Sequence, residues 1–310
     1  MNLLELLGDH TFRTVLIGTV SIGAVSGAIG CFAYLRRQSL VGDVVSHSSL
    51  LGVMLFFLAS YWITGEGSKS LVVLIPGAML SGIAALGLTR FIVSQTSVRD
   101  DSGLGVMLAI FFGTGILLLR WVQKTSPPIS GRSGLQDYLF GMAASMTQGD
   151  LVMIAIIGIS SIAVMLLFWK ELKVFSFDPL LARSLGFRTN LLDLLLVAIL
   201  VNGIVIGIQC IGVVLMIALL VTPAAAARQW TQLLGPMITL AAGIGALCGL
   251  AGSIASAEVS NIPTGPVVVL TGVLIFIISL LFSPSRGLLA RKMKKSSKRL
   301  TVIDRRGALK

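Results

Sequence analysis

LVGDVVSHSSLLGVMLFF, residues 40–57, joins two properties that rarely share one stretch of chain. It enters an apolar run, residues 43–63, close to the ~20 residues that a helix needs to span the hydrocarbon core of a bilayer. Yet it carries Asp43 and His47 near its start. On a helix, a spacing of four stacks both side chains on one face, about 6 Å apart along the axis. An ionisable residue inside a span is costly and marks function by default.

Eight further apolar runs lie at 14–35, 71–93, 103–121, 151–169, 191–208, 210–227, 236–256 and 266–283. In lipid such runs form helices, because each backbone polar group must find its partner within the segment. They predict an all-α integral membrane protein, a polytopic helix bundle of about nine spans. Two shorter runs meet near Gly207–Gly212, which leaves the count between eight and ten. Composition agrees: of 310 residues, 55% are hydrophobic and 12% charged, roughly half the charged share of a soluble domain. Mean hydropathy is +0.95. Glu5 and Asp9 precede the first run where a cleavable leader would be basic, so that run reads as a span.

The net charge is +11, and ten of the 24 Lys/Arg residues lie between Arg286 and Lys310. A basic tail after the last span is a cytoplasmic anchor under the positive-inside rule, with anionic lipid as a second partner. Nucleic acid is not implied. The chain thus divides into a transmembrane domain, 1–285, and a basic cytoplasmic tail, 286–310. With the N-terminus outside, 19 basic residues fall on the inner side and five on the outer, namely Arg13, Lys69, Arg120, Lys124 and Arg132. That split predicts an outside N-terminus, a cytoplasmic C-terminus and an odd number of spans.

Gly23 and Gly27, Gly203 and Gly207, and Gly245 and Gly249 each make GxxxG, which lets helix backbones approach closely. Cys31, Cys210 and Cys248 sit in apolar runs without CxxC spacing and read as core thiols. Two connections are longer than turns. Between Lys170 and Asn190, Asp178-Pro179 suits a helix start and Gly186 its end, predicting a short helix near 180–185 outside the membrane. Between Val122 and Asp150, Pro127-Pro128 and DYLFG (137–141) read as an ordered outer loop.

A carboxylate oxygen and an imidazole nitrogen form half of a divalent-metal site, of a kind suited to Mn, Fe(II) or Zn. Two such helices facing each other would supply two Asp and two His, midway along a path. The bland reading is that Asp43 orients His47 by a hydrogen bond and the pair packs two helices. Asp193 and Glu258 fall at span ends where solvation is easy, and His10 reads as a solvated bystander. There is no GxxxxGK[ST], HExxH or GxSxG, so the chain lacks a P-loop of its own and the constellation of an intramembrane hydrolase. Ser46, Ser48 and Ser49 beside His47 do not supply one. The chain is read as no enzyme.

RRQSLVGDVVSHSSLLGV (36–53) resembles the second span of permeases in the manganese-, zinc- and iron-type ABC importers, with its basic pair and S-x-x-G-D-x-x-x-H. DDSGLGVMLAIFFG (100–113), DYLFG (137–141), FDPLLARSLGF (177–187) and LLVTPAAAARQW (219–230) are similar to further signatures of that family. The resemblance runs almost to Ser283. It implies a type II-like importer permease in the cell (inner) membrane, with Asp43 and His47 as pore metal ligands. It also implies a coupling helix near 180–185, formed by Phe177, Asp178, Pro179, Leu180, Ala182, Arg183 and Gly186, that docks on a cytoplasmic ATP-binding subunit. Further implied partners are an extracytoplasmic metal-binding protein, reaching the outer loop, and a second permease, identical or related. No cofactor is permanently bound; the transported ion is Mn, Zn or Fe. Ser-Leu-Leu-Gly at 49–52 departs from the Pro-Gly of many manganese-type members, so the metal stays open, with hard oxygen donors inclining toward manganese. The alternative is a gradient-driven secondary metal transporter or channel, against which stand the absence of an evident internal repeat and the single buried ionisable pair.

Overall fold

A computed structural model describes residues 8–36, 39–68, 70–135, 141, 146–258, 263–283 and 287. The loop reading at DYLFG up to Phe140 and the tail reading beyond 287 lie outside the described residues. Eleven helices follow one another among those described: α1 (His10–Leu35), α2 (Ser39–Thr64), α3 (Leu71–Gln95), α4 (Asp100–Lys124), α5 (Gln148–Leu167), α6 (Trp169–Phe177), α7 (Pro179–Ser184), α8 (Thr189–Ile211), α9 (Val213–Trp230), α10 (Leu234–Glu258) and α11 (Thr264–Phe282).

α1 and α5 begin earlier than their apolar runs because capping groups set their starts. Asp9 Oδ1 accepts from the Thr11 N–H at 2.9 Å, so α1 opens at His10 rather than Thr14. Thr147 and Asp150 form a reciprocal capping box that starts α5. The chain then breaks at Phe168 and continues as α6, a helix that apolarity alone does not announce.

The long helices alternate in direction. Gln148 Nε2 donates to His10 Nε2 at 2.7 Å, placing the starts of α1 and α5 at one pole. Arg36, just after α1, reaches Asp193 in the second turn of α8 at the other. α1 and α10 are antiparallel, Gly27 facing Ala241 and Gly23 facing Gly245. Their contact is so close that a Cβ on Gly23 would lie 2.1 Å from the Gly245 carbonyl oxygen. At the His10 end of this seam, Thr19 and Ser253 hydroxyls share a 2.7 Å hydrogen bond. Two of the three GxxxG motifs thus meet each other, whereas Gly203 and Gly207 receive the side chains of Ile29 and Met216.

Among the described residues, seven helices are long and apolar enough to cross a membrane: α1 to α5, α10 and α11. α8 and α9, of 23 and 18 residues, form a further apolar pair joined at Gly212 with φ +91°. That left-handed backbone suits glycine. Ile211 beside this turn is fully buried, in one apolar cluster with Ile22, halfway along α1. Seven candidate spans and the α8–α9 pair together make the polytopic helix bundle expected from the apolar runs. Trp62 and Trp121 end α2 and α4 at the His10 pole, while Trp169 and Trp230 mark α6 and α9 at the Arg36 pole. Such amphipathic rings favour the two headgroup levels. Cys31 and Cys248 are buried free thiols, as expected of core cysteines; the Cys210 side chain lies outside the described residues.

Candidate functional site

Asp43 and His47 occupy the second and third turns of α2, and both are half-buried. His47 lies roughly 12 Å from the start of a helix roughly 39 Å long, by the 1.5 Å rise per residue. The pair therefore sits nearer the Arg36 pole than the midpoint expected. Several helices wall this part of α2. Ser81 of α3 donates its hydroxyl to the Ser48 carbonyl at 2.6 Å. Leu220 of α9 packs over Gly42. Phe112 of α4 meets the His47 ring edge-on, with centroids 4.6 Å apart and planes at 68°.

His47 Nδ1 is buried without a hydrogen-bond partner. Asp43 does not hold that nitrogen, so the bland reading of a hydrogen-bonded packing pair fails at this atom. A buried polar atom left unpaired costs about 1–3 kcal/mol and calls for a reason. A lone pair kept free for a passing cation is one. Among the described residues no third His, Cys, Asp or Glu joins the two. Two protein donors leave most positions of a divalent ion to water or to another chain, a weak and open arrangement rather than a closed structural site.

Beyond Asp43, toward the Arg36 pole, lies a cavity of about 580 Å³ bounded by Val41, Arg36, Arg90, Asp101, Arg183 and Asp193. Asp193 is not merely solvated, as its place at a span end suggests. One oxygen meets Arg36 at 2.5 Å and the other Arg90, and the Arg36 guanidinium lies 4.3 Å over the Phe175 ring. His10, read as a bystander, instead ties α1 to α5 through Gln148. Phe112 and the two arginines escaped sequence reasoning because each meets its partner across more than 60 residues of chain.

At the same pole stands α7, Pro179–Ser184, one residue earlier than the sequence suggests. Asp178 Oδ1 accepts from the Leu180 and Leu181 N–H groups at 3.0 Å each, Pro179 fills the first turn, and Gly186 leaves with φ +84°. Ala182 is fully buried, anchoring one side of the helix, while Leu180 is 76% exposed and Phe177 50%. Pro179 and Arg183, both among the expected coupling residues, line the cavity.

A membrane-spanning bundle with an open ligand pair inside it, and a short capped helix presenting apolar side chains at its basic pole, has the build of a transport permease. The ABC 3 transport family matches residues 9–283, and the chain belongs to that family. It is 39% identical over 305 residues to the zinc transport system membrane protein TroC of Treponema pallidum (strain Nichols), covering 98% of this chain and 99% of that protein. It is 39% identical over 282 residues to the manganese transport system membrane protein MntC of Bacillus subtilis (strain 168), covering 90% of this chain but 62% of that relative's length. The fold resembles PsaBC from Streptococcus pneumoniae in complex with Fab, with a TM-score of 0.80, 30% identity, and coverage of 94% of this chain and 100% of that one.

Proposed function

We propose that this chain is the membrane permease of an ATP-driven importer of manganese or zinc, and that Asp43 and His47 are its pore ligands. The observation that carries the reading is the unpartnered Nδ1 of His47, one turn from Asp43, on the helix whose Leu40 and Val41 line the cavity at the basic pole. Relatives bearing zinc and manganese names support those two ions. The basic pole is cytoplasmic, the N-terminus lies outside, and α7 is the coupling helix. Its exposed Leu180, with Phe177 beside it, fits a groove on a cytoplasmic ATP-binding subunit, and Asp178, Pro179, Ala182, Arg183 and Gly186 hold it in shape. Metal comes from an extracytoplasmic binding protein at the His10 pole. A second permease, identical or related, completes the ligand set across a dimer axis.

Uptake of radioactive manganese and zinc, measured in cells with and without the partner ATP-binding subunit, tests this. Loss of uptake without the ATPase is expected, and a carrier driven by ion gradients would be indifferent. Leu180→Asp places a charge in the docking contact and is expected to lower ATP-driven uptake about tenfold or more, in line with losses at buried interface anchors, with the chain still reaching the membrane. Wild-type uptake by this variant removes α7 from the coupling role.

Phe112→Leu keeps apolar bulk but removes the ring edge that holds the imidazole. Apparent metal affinity should fall about three- to tenfold, the worth of one aromatic contact, while the maximal rate changes little. Uptake measured over a range of metal concentrations separates the two; an unchanged affinity means that Phe112 only fills space.

A further inference from the structure

We propose that Asp193 is the inner latch of the transport path: its carboxylate clasps α1, α3 and α8 at the basic pole, and movement of α7 releases it. The proposal rests on the permease reading. Each oxygen of Asp193 takes one guanidinium, Arg36 after α1 and Arg90 in α3. One side chain therefore joins three helix ends at the wall of the cavity that Leu40 and Val41 of α2 line, one turn before Asp43. Any movement that parts α1, α3 and α8 at this pole must break one or both of these contacts.

The depth of the triad suits a latch. The side chains of Arg36 and Asp193 are 16% and 22% exposed, so their attraction is less screened than at a free surface. Arg90 is 48% exposed and borders the cavity, so it can exchange partners with little desolvation. Asp100 and Asp101, in the first turn of α4, line the same cavity and offer Arg90 a second carboxylate when Asp193 lets go. Two alternative pairings of one arginine make a two-state element.

The segment around α7 touches both halves of the latch by separate contacts. Arg183 Nε donates to Thr189 Oγ1 at 3.2 Å, one turn ahead of Asp193 on α8. Phe175, three residues before the Asp178 cap, lies beneath the Arg36 guanidinium. A shift of α7 thus pulls on α8 through Arg183 and on Arg36 through Phe175. Asp193 acts on the cargo only through helix position, which makes it a positioning residue.

Removing its charge does more than loosen the contact, since two guanidiniums would then face each other unneutralised. The test is cysteine accessibility at Val41, which is buried and lines the cavity. Val41→Cys is placed in a chain lacking Cys31, Cys210 and Cys248, held in lipid nanodiscs and labelled with a charged maleimide. Asp193→Asn should raise the labelling rate about tenfold, equivalent to ~1.4 kcal/mol of closure lost. Asp193→Glu keeps the carboxylate and should label at the wild-type rate. Adding Arg36→Gln and Arg90→Gln to the Asp193→Asn variant should slow labelling again, because the repulsion is gone. Equal labelling with and without the Asp193→Asn change overturns the latch, as does fast labelling of the Asp193→Glu variant, which would make Asp193 packing alone. Should the Asp193→Asn variant not fold, Arg90→Gln at its half-exposed site gives the same reading, with faster labelling expected and wild-type labelling overturning the idea. This assay uses neither metal nor ATPase, so its failure is distinct from failure of the permease reading, which wild-type uptake decides.

Discussion

Alanine at Asp43 or at His47 is expected to lower uptake of manganese and zinc about a hundredfold or more, with the chain still present in the membrane. In the proposed site each residue is one of the two donors that this chain supplies, since no third His, Cys, Asp or Glu joins them among the described residues. Removing even a neighbour of a metal ligand typically costs about 10–100-fold, and a ligand lost from so sparse a set costs at least as much. Asp43→Asn keeps the shape and an acceptor oxygen but removes the charge, and should fail nearly as badly. His47→Leu carries the sharper contrast. It keeps apolar bulk against Phe112 and eliminates the buried, unpartnered Nδ1. Relief of that orphan atom should leave the melting temperature in detergent unchanged or higher, even as uptake vanishes. A protein that becomes no less stable on losing a residue, yet stops working, retains that residue for function. Uptake at the wild-type rate in both alanine variants would make the pair packing and send the ion elsewhere.

What can be read from residues alone depends on whether the information is local. Asp178-Pro179 and Gly186 announce α7 because a cap, a fixed φ and a left-handed exit are properties of a few neighbouring residues. The spans announce themselves because hydrocarbon demands a long apolar run, and Asp43 and His47 share a face by helical period alone. Helix ends are less legible: α1 and α5 start where Asp9 and Thr147 cap them, ahead of the apolar runs. Juxtapositions are not legible. Nothing near Asp193 in the chain points to Arg36 or Arg90, 157 and 103 residues away. GxxxG marks Gly23 and Gly245 as contact points without pairing them. His47 gives no hint of Phe112, because an aromatic ring looks the same in sequence whether it faces lipid or a ligand.

The α1–α10 seam should prove an unforgiving contact, and Gly23→Ala is expected to destabilise the chain by about 3 kcal/mol, through forced overpacking and a weakened interhelical hydrogen bond. A Cβ on Gly23 would stand 2.1 Å from the Gly245 carbonyl oxygen, and one on Gly245 would stand 2.0 Å from the Gly23 oxygen. Both obstacles are backbone, which no rotamer change can move, so the helices must separate. Separation is felt along the whole seam: Gly27 against Ala241, Gly249 against Thr19, and the Thr19–Ser253 hydroxyl bond at its end. In lipid there is no hydrophobic force to close the gap again, since the tails are as apolar as the helices. Gly243, also on α10, makes the control, because a Cβ there would meet nothing within 4 Å among the described residues. At that position alanine should be neutral or stabilising, by up to about 1 kcal/mol of helix propensity. Thermal melting of the purified variants should therefore move in opposite directions for two chemically identical changes. Gly23→Ala together with Gly245→Ala should cost less than the two singly added, because helices already parted by one methyl group accommodate the second. Melting of Gly23→Ala at the temperature of Gly243→Ala would mean that the seam yields to a methyl group and is not the close backbone contact that the 2.1 Å approach implies.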